Sequence, residues 1–111
     1  MSDISEEPVI ESAGNVFADL GLPTPDERLL KAALAYAIAS IITSQHLTQT
    51  QAANVLGTDH AKISALTTGR LAGFSIERLL RFLLALDRDI AISIRPKPET
   101  RASRVELVEV A

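Results

Sequence analysis

QTQAANVLGTDHAKISAL, residues 49–66, decides the fold of this chain. Ala53 stands where one helix must let another approach closely. Four residues on, Gly57 stands where a tight turn needs a positive φ, which a residue without Cβ adopts at little cost. Ile63 and Leu66 follow at a spacing of three, on one face of a second helix that turns back to the core. Thr48 with Gln51 has the form of a capping box, and Asp59 can cap the second helix, so both starts satisfy N–H groups that a first turn leaves unpaired. The spacing predicts a helix over 49–56, a turn at Gly57 and a helix from 60 to about 67, stopped by Gly69.

Outward from this unit the pattern stays helical. Thr24-Pro25-Asp26-Glu27 combines a capping residue, Pro at the first helical position and Glu three after the cap. The helix it starts is expected to run to about Ser44. Leu30, Leu34, Ile38, Ile41 and Ile42 keep helical spacing, and Ala33, Ala35, Ala37 and Ala39 permit close packing. Ser75 caps a further predicted helix, 76 to about 86, with Ile76, Leu79, Leu80, Leu83 and Leu84 as its apolar stripe. Upstream, residues 15–20 are a candidate for one or two helical turns ended by Gly21, and Phe17, Leu20 and Leu22 are expected to close one end of the core. Residues 89–95, DIAISIR, change the period. Ile90, Ile92 and Ile94 alternate with Ala91, Ser93 and Arg95, as in a half-buried strand stopped by Pro96.

The domain reading is therefore a flexible acidic leader over 1–14, a domain with its C-terminal strand over 15–95, and a tail over 96–111. In that tail Val105-Glu106-Leu107 is either a second strand or plain tail. The fold class expected is all-α, with four or five helices and one short strand.

Composition narrows the function. The chain has 111 residues, 47% apolar and 4% aromatic, which suits a core of aliphatic side chains. No apolar run reaches the roughly 18 residues of a membrane span, the N-terminus lacks the form of a signal peptide, and cysteine is absent. A cytoplasmic protein is expected. The net charge of −3 hides an asymmetry. Residues 1–27 carry seven acids and no base; residues 28–104 carry all eleven bases against five acids, a charge of +6; residues 105–111 add two acids.

A helix-turn-helix of this kind places its second helix in the major groove of double-stranded DNA. Gln49 and Thr50 open the first helix, where free N–H groups face a phosphate. His60, Ala61 and Lys62 occupy the first turn of the second helix. His60 can donate to a purine N7, Ala61 can touch a thymine methyl, and Lys62 can reach guanine or a phosphate. Ser64, Ala65 and Thr68 are the next outward positions, while Thr68, Arg70 and the more distant Arg78 suit backbone phosphates. Catalytic residues are not expected. His46 and His60 are fourteen apart with no carboxylate pair at ligand spacing, so no metal site or cofactor is expected, and no phosphate loop or nucleophile elbow occurs.

Residues 47–69, LTQTQAANVLGTDHAKISALTTG, resemble the helix-turn-helix of lambda-repressor/Cro-like (XRE) transcriptional regulators. Gln49, Ala53, Gly57, Ile63 and Leu66 match the family's motif. The family often begins its recognition helix with Gln, which reads adenine; His60 stands there, so the base preference does not carry over. The frame over about 15–98 is similar to a narrower branch, the HigA-like antitoxins and their relatives. That resemblance implies a homodimer on a palindromic operator, a repressor, and often a toxin encoded alongside. The competing expectation is a protein-interaction module that chiefly binds and neutralises a toxin. Two half-sites demand a self-interface, for which 89–95 is the candidate, because a lone strand leaves unpaired N–H and C=O groups that a symmetry mate can satisfy. Phe82 and Leu83 beside it can add apolar area. The alternative pairing is with residues 105–110 of the same chain. The acidic leader is read either as a solvated arm, as a clamp on a basic toxin, or as a repulsive guard against non-specific DNA.

Overall fold

The computed structural model describes residues 24–108, which contain four helices: α1 Thr24–Ser44, α2 Gln49–Leu56, α3 His60–Thr67 and α4 Ile76–Ala85. The expected turns at 15–20, and the leader, lie outside the described residues. The starts of α2, α3 and α4 match their capping signals. Gln51 N donates to Thr48 Oγ1 at 3.1 Å while Thr48 N donates to Gln51 Oε1 at 2.9 Å, a complete capping box on α2. Asp59 Oδ1 accepts from Lys62 N at 2.8 Å, and Ser75 Oγ from Arg78 N at 3.0 Å.

All four helices stop in the same way. The chain passes through one residue with positive φ, whose own N–H and that of the residue after it turn back to carbonyls of the last turn. After α2, Gly57 (φ 69°) donates to Asn54 O and Thr58 to Ala53 O; after α3, Gly69 (φ 81°) donates to Leu66 O and Arg70 to Ala65 O. After α1 the same position is His46 (φ 56°), donating to Thr43 O, with Leu47 donating to Ile42 O. After α4 it is Asp87 (φ 62°), donating to Leu84 O, with Arg88 donating to Leu83 O. Glycine signals two of these stops in the sequence, and the other two carry side chains there.

The core lies where α1 meets α4, α2 meets α3, and both α3 and α4 meet a neighbour of the other pair. Ile38, Ile63 and Leu79, from α1, α3 and α4, are its most deeply buried large side chains. Leu30, Leu34, Ile41 and Ile42 are buried as the α1 periodicity predicts, and Ala52 and Ala53 bring α2 close. The stripe on α4 needs one correction. Leu84 is 41% exposed, and Phe82 and Leu86 are buried instead. The buried arc is turned toward Phe82 because Phe74, from the loop before α4, packs edge-to-face on it with centroids 6.1 Å apart.

The predicted strand is the larger correction. No strand occurs among the described residues, and 89–95 have no regular structure. Their main-chain groups make no hydrogen bond within the described residues. Ile90 rests partly buried on the core, but Ile92 is 58% and Ile94 84% exposed. An alternating sequence supplies one strand only, and a ladder needs a second. Residues 105–108 do not provide it; Val105 and Leu107 instead lay their side chains against the core.

Candidate nucleic-acid interface

α2 opens toward solvent. The capping box occupies the N–H groups of Thr48 and Gln51, which leaves those of Gln49 and Thr50 without a partner among the described residues. Both side chains are exposed. Two consecutive free N–H groups at a helix start form a site for a phosphate oxygen.

α3 lies across α2, fixed by the turn at Gly57 and by Ile63 and Leu66 beneath it. The inward pair defines the outward face, which carries His60, Ala61, Ser64, Thr67 and Thr68. His60 Nε2 lies 3.0 Å from Thr50 Oγ1, so the first residue of α3 is tied to the first turn of α2. Ser64 is half-buried, and Ala65 turns partly into the core and does not face outward. Thr68 is exposed, but its hydroxyl donates to Ser64 O at 2.7 Å. Arg70 is exposed, and its Nη2 reaches back over the end of α3 to Ser64 Oγ at 3.4 Å. Sequence reasoning left out Thr67, exposed at the period that joins Ser64 to Thr68, whose hydroxyl donates to Ile63 O.

Lys62 goes elsewhere. Its Nζ lies 5.3 Å from the centroid of Phe74, over the ring, and close enough to Gly73 that a Cβ there would meet it at 3.3 Å. Arg78 shares the cluster, with its guanidinium carbon 6.0 Å from the Phe74 centroid and 5.5 Å from that of Phe82. Arg78 Nη2 also reaches Thr58 Oγ1, in the turn before α3, at 3.5 Å. Two cations of α3 and α4 thus bracket aromatic rings of the core, an arrangement stabilised by the ring quadrupole. The arrangement links α3 to α4 through the loop between them. The outward face is left with neutral side chains, Arg70 at one end and the Asp59 carboxylate at the other.

No group of three or more potential metal ligands occurs among the described residues. No helix among them is long and apolar enough to cross a membrane.

A family profile described as a helix-turn-helix domain matches residues 16–95. A solved structure described as an XRE-family transcriptional regulator is similar to the chain at 45% identity, with a TM-score of 0.75, over 79% of this chain and 100% of that one. No curated protein matches the chain.

Proposed function

This chain belongs to the family of helix-turn-helix domains, and on that footing we propose that it is a sequence-specific DNA-binding transcriptional regulator. The observation that carries this reading is the presentation of α3. The helix is anchored by Ile63 and Leu66, its first residue is held by Thr50, and its outward face continues into the free N–H groups that open α2. Base edges would meet His60, Ala61 and Ser64, while phosphates would meet Gln49, Thr50, Thr68 and Arg70. The similarity to a protein described as an XRE-family regulator supports the same assignment.

The finer reading is a homodimeric repressor in the cytoplasm. It places two copies of α3 in successive major grooves of a palindromic operator and so occludes the promoter. We further read it as an autoregulating antitoxin of the HigA-like branch, whose acidic leader 1–14, with four acids and no base, is complementary to a small basic toxin. Catalysis has no part in this reading.

Selection of bound duplexes from a random pool tests it. The full-length chain should enrich a palindrome with half-sites about one helical turn apart, and Gln49→Ala with His60→Ala should abolish the enrichment. A pool that stays random would overturn it. A second reading, a module that chiefly neutralises a toxin and binds DNA weakly, is favoured by the neutral outward face of α3 and by the seating of Lys62 on Phe74. A toxin from an adjacent reading frame that co-purifies equally with wild type and with the Gln49/His60 variant would locate toxin binding off the α3 face.

A further inference from the structure

We propose that residues 89–95 of two copies pair as an antiparallel ribbon centred on Ile92, an inference that deepens and rests on the dimer in the reading above. Three observations point to this occupant and this register. The main-chain groups of 89–95 are unpaired among the described residues, so the segment offers a complete edge. Ile92 and Ile94 are exposed large apolar side chains next to Ile90, which already rests on the core. Asp89 and Arg95, at the two ends of the segment, have no hydrogen bond or ion pair among the described residues.

A two-fold axis at Ile92 satisfies all three. It sets Ile92 against Ile92 of the second copy, Ile90 against Ile94, and Ala91 against Ser93. It also sets Asp89 against Arg95, twice. Directly opposed residues of an antiparallel pair share a face. One face of the ribbon is therefore six isoleucines laid toward the two cores, and the other is Ala and Ser bounded by two ion pairs. Other registers lose this match. A slip of one residue sets Ile against Ser or Ala on mixed faces. Centring on Ser93 brings Pro96, which has no N–H, opposite Ile90 and separates Asp89 from Arg95. Centring on Ala91 sets Ile94 and Arg95 against Arg88 and Asp87, whose N–H groups already close α4, and the backbone of Asp87 is not extended. The segment is self-complementary in one register, as an isologous interface requires.

The chain has no cysteine, which makes the test direct. Opposed residues have Cβ atoms about 4.5–5.5 Å apart, close to disulfide reach, so Ile92→Cys should cross-link into a covalent dimer under mild oxidation. Ile94→Cys should not, because its two copies would lie about 13 Å apart along the ribbon. Asp89→Arg and Arg95→Glu, alone, should each weaken self-association about tenfold in sedimentation equilibrium, and the two together should restore it. A dimer that cross-links through residue 94 and not 92, a charge pair without rescue, or a wild-type monomer at concentrations that occupy an operator would each overturn the ribbon. The cross-linking needs no DNA. A cross-linked, rescuable dimer that selects no sequence would defeat the DNA reading and leave the ribbon standing.

Discussion

Thr50 Oγ1 and His60 Nε2 lie 3.0 Å apart, joining the opening turn of α2 to the first residue of α3 across the turn at Gly57. One imidazole nitrogen is thereby engaged within the protein, on a side chain that is otherwise exposed. Thr50→Val keeps the shape and removes the tether. Operator affinity should fall about three- to tenfold with little change in thermal stability, the range of one hydrogen bond. His60→Ala should cost more, and His60→Gln should shift the preferred base at its position toward adenine in the same binding assay.

The seating of Lys62 and Arg78 on Phe74 separates positioning from phosphate contact. A residue that neutralises a phosphate contributes about one unit to the slope of log K against log salt. Lys62→Met and Arg78→Met should weaken operator binding while leaving that slope, and the affinity for random DNA, unchanged. A slope reduced by about one unit would make either residue a direct phosphate contact.

His46 and Asp87 occupy left-handed positions that glycine fills after α2 and α3. Left-handed backbone costs an L-residue about 1–2 kcal/mol, partly offset by the greater unfolded-state freedom of glycine. His46→Gly and Asp87→Gly should each stabilise the fold by about 0.5–1 kcal/mol, read as a rise in Tm. Gly57→Ala meets no neighbouring atom and should lose about 1–2 kcal/mol through backbone conformation alone.

Ile38 is fully buried at the centre of α1, while Tyr36, two residues away, is 77% exposed. Ile38→Ala should cost about 2–5 kcal/mol in denaturant unfolding. Tyr36→Ala should stay within about 0.5 kcal/mol.

Residues 1–14 carry four acids and no base. Their deletion should strengthen binding to random DNA at low salt, with the difference fading as the Debye length shortens. Unchanged affinity at low salt would remove the repulsive role of this segment.

Helix starts, two of the four stops and most of the buried face of each helix are legible in the sequence. Capping boxes, a cap three residues before its N–H partner, glycine at a left-handed stop and the 3.6-residue period all act between near neighbours, so local residues are enough to specify them. Thr48 with Gln51, Asp59 with Lys62, Gly57, and the run from Leu30 to Ile42 are of this kind. His46 and Asp87 escaped notice because the hydrogen bonds that hold a left-handed stop come from the backbone, which any residue supplies. The destinations of Lys62, Arg78 and Ala65, and the exposure of Leu84, were decided only by tertiary structure. Phe74 enters the space between α3 and α4 from twelve residues beyond Lys62, and no local period encodes its arrival. The strand at 89–95 is the limiting case. Alternation in the sequence specifies one edge and two faces, but the energy of a strand comes from a partner's ladder, and the described residues contain no such partner.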